Sequence, residues 1–270
     1  MTRRRHAAEA TAPPHEIPAP GAACPGRPVT VCGLPVHPLT LAESVAFAEA
    51  LIEDGGPHQH VVLNAAKVVQ AHRDAELARI IRSCSLVNAD GQSVVWASRI
   101  LRRPVPERVA GIDFMQAMWH SAARHGYRVY LLGAERQVVE ETARIAVAQG
   151  VEVVGYRDGY WDETQEQEVV AGVRAAGPDL LFLAVPSPRK EYFLAQRLKA
   201  LGCPLVVGVG GSFDVVAGVR SRAPRWMRRS GLEWFHRMVQ EPRRMFLRYT
   251  VGNLRFVALV LVHWARGLLR

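Results

Sequence analysis

The chain has 270 residues, 49% hydrophobic and 22% charged, a balance that suits one large or two small globular units. Its formal charge of +9 is concentrated at one end: Arg220–Arg270 carries twelve arginines against Glu233 and Glu241, a local +10 that leaves about −1 for residues 1–219. No apolar run approaches the roughly 20 residues that cross a bilayer. No hydrophobic stretch follows Arg3, Arg4 and Arg5 as in a secretory signal, and Cys24, Cys32, Cys84 and Cys203 form no C-x-x-C pair, which argues against a disulfide framework or zinc site and for a reducing cytoplasm.

Residues 1–28 are rich in Pro and Ala and poor in large apolar groups, and are read as a disordered tail. Val29–Cys32 and Leu34–His37 read as a hairpin. Thr40 with Glu43 has capping-box spacing and predicts a helix to about Glu53. After Gly55-Gly56-Pro57, His60–Leu63 reads as a buried strand ending at Asn64, followed by helices from Ala65 and over Ala75–Ser83. Leu86–Asn88 is the next strand and runs into Ala89-Asp90-Gly91. Gln92–Leu101 is helical in pattern, and Asp113 is a candidate cap for a helix to about His125.

From Arg128 the pattern alternates: strands at Arg128–Leu132, Val151–Gly155, Leu180–Val185 and Leu205–Val209, and helices at Glu135–Gln149, Glu163–Ala175 and Pro188–Leu201. Val- and Leu-rich strands between helices of this length predict an α/β fold, a Rossmann-like parallel sheet sandwiched by helices. The body is taken as 29–218, with 219–270 as a basic helical C-terminal appendage. Ligands of open parallel sheets gather at the carboxyl ends of the strands. Here those ends are Asn64, Asp90, Gly133, Pro186-Ser187 and Gly208–Asp214.

Gly208-Val209-Gly210-Gly211 after a strand lets a phosphate approach backbone amides, or is only a tight turn; Phe213 stands where a dinucleotide fingerprint needs glycine. Asp90 on its loop suits a general base, or a turn or capping aspartate. Lys190, at the start of a helix opened by Ser187-Pro188, suits a phosphate or a solvated surface. Trp96, Trp119 and Trp161 are expected in the core.

Several segments together resemble one family: Val62-Leu63-Asn64-Ala65-Ala66-Lys67, Asn88-Ala89-Asp90-Gly91, Pro106-Glu107-Arg108-Val109-Ala110-Gly111-Ile112-Asp113, Tyr130-Leu131-Leu132-Gly133, Ser187-Pro188-Arg189-Lys190-Glu191, Gly208–Asp214, Arg222-Ala223-Pro224-Arg225-Trp226-Met227 and Gln240-Glu241-Pro242-Arg243-Arg244. In this order and spacing the chain resembles the WecG/TagA/CpsF glycosyltransferases over about 29–253. The resemblance implies a GT-E-type fold and an inverting, metal-independent transfer without a cofactor. The donor is a UDP-sugar, often of N-acetylmannosamine, and the acceptor a polyprenol-diphosphate-linked sugar in cell-surface polysaccharide synthesis. It implies a peripheral protein on the cytoplasmic face of the plasma membrane, and leaves a homo-oligomer open.

The resemblance makes Asp90 the catalytic base and places Arg237, Arg243, Arg244 and Arg248 of the appendage near a diphosphate. With the strand-end positions, the substrate-binding set becomes Asn64, Asp113, Gly133, Lys190, Glu191, Gly210, Gly211, Phe213, Asp214 and those four arginines, with no metal ligand. Two departures stand out: Val62 occupies a position where the family often has Thr, and Leu247-Arg248 stands where it often has two basic residues. A Rossmann-like oxidoreductase is the alternative, disfavoured by the missing fingerprint. A nucleic-acid partner is not expected, because arginines interleaved with large apolar groups suit a lipid surface better.

Overall fold

A computed structural model describes residues 27–224, 226, 227, 235, 238 and 242–268, with side chains described for all of these except 242–251. The segment read as an N-terminal tail lies outside them apart from residues 27 and 28. β1 (Val29–Val31) and β2 (Leu34–Val36) form the expected hairpin, turning through Cys32 and Gly33 at φ 47° and 77°. In the capping box of α1 (Leu41–Asp54), the Thr40 hydroxyl accepts from the Glu43 amide and the Glu43 carboxylate accepts from the Thr40 amide. Gly55 ends the helix in the left-handed conformation.

The main sheet has six strands: β3 (His58–Leu63), β4 (Leu86–Ala89), β5 (Arg128–Gly133), β6 (Glu152–Arg157), β7 (Leu180–Ala184) and β8 (Leu205–Gly208). Their order across the sheet is β4-β3-β8-β7-β5-β6, and every pairing is parallel. Helices cover both faces, so β3, β4, β7 and β8 are buried along their whole length; β7 and β8 read as apolar runs, whereas β3 carries His58, Gln59 and His60 and β4 carries Asn88. Alternate residues divide between two layers. Leu131, Phe182 and Val207 pack with α1, α5 (Gly111–His125) and α6 (Arg136–Ala148). Leu132, Leu183 and Val206 pack on the other face with α7 (Glu166–Ala176) and α8 (Arg189–Arg197). On that second face Val61, Leu63 and Val87 meet α2 (Ala65–Ala71), α3 (Ala75–Arg82) and α4 (Gln92–Ile100). A short α9 (Ser212–Val216) follows β8, and α10 (Pro242–Leu268) lays Phe256 and Val260 into the cluster that holds α2 and α4.

Three local readings need correction. Asp113 does not cap α5: the cap position is Ala110, and Asp113 lies in the first turn with its carboxylate turned to Arg222. α7 starts at Glu166, not Glu163, because the Asp162 carboxylate accepts from the amides of Thr164 and Gln165 and holds a turn there. Trp119 and Trp161 are buried, but Trp96 is half exposed on α4.

Candidate active site

The crevice follows from where the helices leave the sheet. β8 lies between β3 and β7. After β3 and β7 the chain passes to α2 and α8 on one face, whereas after β8 it passes to α9, which packs with α5 and α6 on the other. Neighbouring strands whose connections diverge open a cleft at their carboxyl ends.

Asn64 begins α2 as its N-cap, its Oδ1 accepting from the Lys67 amide at 3.0 Å. One turn in, the Lys67 side chain crosses to α8, where its Nζ donates to Glu191 Oε1 at 2.6 Å. Ser187 Oγ donates to the other oxygen, Glu191 Oε2, at 2.8 Å. Glu191 is fully buried and Lys67 is 5% exposed. Burial alone pushes a carboxyl group up, but Lys67 and Lys190 beside it and the two donated hydrogen bonds prevail, holding Glu191 below the ordinary glutamate value. The Lys67–Glu191 pair thus ties the helices on either side of β8 together.

Lys190 lies next to this pair and is also only 5% exposed. Its side chain runs over the end of β8: a Cβ added at Gly208 would sit 3.2 Å from Lys190 Cε, and one at Gly210 would sit 3.9 Å from Lys190 Nζ. Glycine at 208 therefore leaves the space the lysine occupies, and Gly210 takes the turn at φ 55°. Burial and the Lys67 charge push the Lys190 ammonium down to about 8, with Glu191 and Asp90 acting in the opposite direction.

Asp90 stands at the carboxyl end of β4, partly exposed, and its amide and that of Gly91 both donate to the Leu63 carbonyl, at 2.8 and 3.3 Å. That fork holds the Asp90 loop across the end of β3 and against Asn64; a Cβ at Gly91 would lie 3.4 Å from Asn64 Cα. Below it, His60 Nε2 donates to Asn88 Oδ1 at 3.0 Å and Asn88 Nδ2 donates to Ser44 Oγ at 2.9 Å. Complete burial pushes His60 down to about 3, so the ring is neutral at pH 7 and works as packing beneath the cleft, against Phe114.

On the far side of the cleft, Gly133 ends β5 at φ 125°, where a Cβ would lie 2.5 Å from the Ala184 carbonyl. Ala134 follows in the left-handed region at φ 58°; its amide donates to Ala184 O at 3.0 Å, and its carbonyl accepts from Gly159 at 2.8 Å. Three strand ends are thereby held in backbone contact. Arg189 fixes the loop after β6, donating to the carbonyls of Gly159 and Trp161 and lying 4.7 Å over the Trp161 ring.

Several expected contacts take a different form. Glu191 and Phe213 lie inside the packing and not on the cleft surface: both Glu191 oxygens are engaged, and Phe213 belongs to the core. Asp113 accepts from Arg222 Nη2 at 2.6 Å and so holds the chain after α9 against α5. Gly211 and Asp214 stand together at the start of α9, where a Cβ at Gly211 would lie 3.4 Å from Asp214 Oδ2. Arg237 lies outside the described residues, as do the side chains of Arg243, Arg244 and Arg248 at the start of α10.

The sequence reading missed Lys67 and Arg222 as parts of this arrangement, and placed Ser187 at a strand end without its partner Glu191. Lys67 offered one signal, a lone cation in the otherwise apolar and amidic stretch Ala65–Ala71. What it pairs with is 124 residues away.

The sequence model of the glycosyl transferase WecG/TagA/CpsF family matches residues 29–269. The chain belongs to that family, and is a glycosyltransferase.

Proposed function

We propose that this glycosyltransferase moves a hexose, N-acetylmannosamine or a related sugar, from a UDP-sugar to a polyprenol-diphosphate-linked sugar, with inversion and without a metal, in cell-surface polysaccharide synthesis. Asp90 accepts the proton of the acceptor hydroxyl. The oxygen attacks the anomeric carbon as the bond to the UDP β-phosphate breaks, and its electrons leave with UDP. The turn at Gly210 and Gly211 receives the nucleotide, and Asn64, whose amide hydrogens meet no partner among the described residues, orients a sugar hydroxyl. Arg237, Arg243, Arg244 and Arg248 meet diphosphate charge. The observation that carries this reading is the partly exposed carboxylate of Asp90, set beside Asn64 and across the strand ends from the glycine turn.

The direct test presents a panel of UDP-sugars with a soluble polyprenol-diphosphate-sugar analogue and measures UDP release. At least one UDP-hexose is expected to release UDP only when the acceptor is present. No acceptor-dependent release with any member would refute the donor assignment.

A membrane-surface location is part of the same proposal. α10 has a second apolar stripe, Leu254, Val257, Leu261, Trp264 and Leu268, exposed along the flank next to its docked residues, with Arg255 and Arg266 also exposed. Spacings of three and four residues put these side chains on one side of a helix. No helix among the described residues is long and apolar enough to cross a membrane. Apolar and cationic groups in one segment suit anionic phospholipid headgroups. The protein is expected to float with vesicles containing phosphatidylglycerol and not with pure phosphatidylcholine; equal recovery in the absence of vesicles counts against the location.

A further inference from the structure

Three buried ionisable side chains, Glu191, Lys67 and Lys190, meet over the end of β8, with the partly exposed Asp90 carboxylate facing them. Glu191 carries one negative charge and Lys67 and Lys190 one positive charge each when ionised. Both oxygens of Glu191 are engaged, one by Lys67 at 2.6 Å and the other by Ser187 at 2.8 Å. Among the described residues the Lys190 ammonium makes no hydrogen bond and no ion pair, although the side chain is 95% removed from solvent (5% exposed). Its Nζ lies against the glycine turn: a Cβ built at Gly208 would fall 3.5 Å from it and one at Gly210 3.9 Å. Glu191 and Asp90 lie near enough to act on it, but neither takes a hydrogen bond from it among the described residues, so the ammonium is left for an incoming anionic group.

The place it reaches is built to receive one. Gly208 and Gly210 present no side chain toward it, and the closest approach, a Cβ at Gly208, would fall 3.2 Å from Lys190 Cε. Glu191, its chain neighbour, is tied to Lys67 and Ser187 and so fixes the first turn of α8 from which Lys190 projects. We propose that Lys190, seated on the Gly208–Gly210 turn, is the protein's own counter-ion for the diphosphate of the nucleotide donor. This rests on the UDP-sugar reading above. When the glycosidic bond breaks, the β-phosphate oxygen gains negative charge. A prepositioned ammonium that donates a hydrogen bond to it, without giving up its proton, stabilises that charge more than the ground state. The groups facing Lys190 are Lys67, Glu191 and Asp90, with His60 beneath them neutral at pH 7.

Calorimetric titration of UDP and of inorganic pyrophosphate into wild-type protein, K190M, K190Q and K190R tests this. K190M and K190Q are expected to bind UDP about tenfold or more weakly, with K190R retaining most of the affinity. Because Lys190 titrates near 8, wild-type affinity is expected to fall as pH rises from about 7.5 to 9.5, whereas K190M, having lost the titrating cation, shows no such fall. UDP binding by folded K190M and K190Q within about twofold of wild type would overturn the role of Lys190 and leave the donor reading standing. Pyrophosphate binding that depends on Lys190, with no UDP binding by the wild type, would instead sink the UDP-donor reading while the anion site survived.

Discussion

Asp90→Asn is expected to lower acceptor-dependent UDP release by about 10³-fold, the scale of a positioned general base and equivalent to about 4 kcal/mol of barrier. The substitution is nearly isosteric, and Asp90 is partly exposed, so it places no new group in a packed core. The loop is held by the amides of Asp90 and Gly91 on the Leu63 carbonyl, which asparagine leaves intact. Only the ability to take a proton is lost. UDP affinity is therefore expected to stay within about twofold of wild type, or to tighten, since one negative charge near Lys190 has been removed. Steady-state UDP release paired with calorimetric UDP binding separates the two. Turnover by Asp90→Asn close to wild type would remove Asp90 as the base.

The second large effect is expected on stability. Glu191→Ala leaves Lys67 and Lys190 buried with no carboxylate between them, and breaking one side of a buried pair costs about 3–5 kcal/mol. Urea unfolding followed by circular dichroism is expected to show that loss. The double variant Lys67→Met, Glu191→Leu is expected to recover much of it, because neutral side chains of similar size need no counter-charge. The pH dependence has a definite sign. The folded carboxyl of Glu191 is held below its ordinary value, so its contribution is full above the unfolded glutamate pKa of about 4.3 and is lost as pH falls through the folded value. Glu191→Ala should therefore lose less stability on acidification than wild type. A Glu191→Ala protein within about 1 kcal/mol of wild type at pH 7 would show that the bridge is not what holds α2 against α8.

The strands and most helices were legible in the chain for local reasons. A strand buried on both faces tends to be apolar along its length, and β7 and β8 show that as Leu180–Ala184 and Leu205–Gly208. Thr40 with Glu43 announces α1 because a capping box closes over three residues. The errors arose where a short polar side chain had two local uses. Asp113 in a first turn looks like a cap until Arg222, 109 residues on, takes its carboxylate. The helix read from Glu163 starts at Glu166, because the Asp162 carboxylate holds the preceding turn.

By itself, then, the sequence determined the α/β class, the strand-end positions of Asn64, Asp90, Gly133 and Gly208–Gly211, and the family, because each depends on short-range pattern or on ordered motifs. Tertiary structure alone decided the strand order β4-β3-β8-β7-β5-β6, which brings residues about 120 positions apart over β8. It decided that Lys67, not Lys190, takes Glu191, and that Lys190 is left facing the glycine turn. The physical reason is that a charge written in a sequence has no sign of its partner. Burial makes an unpaired charge costly, and which partner is in reach depends on how α2 and α8 settle on either side of one strand.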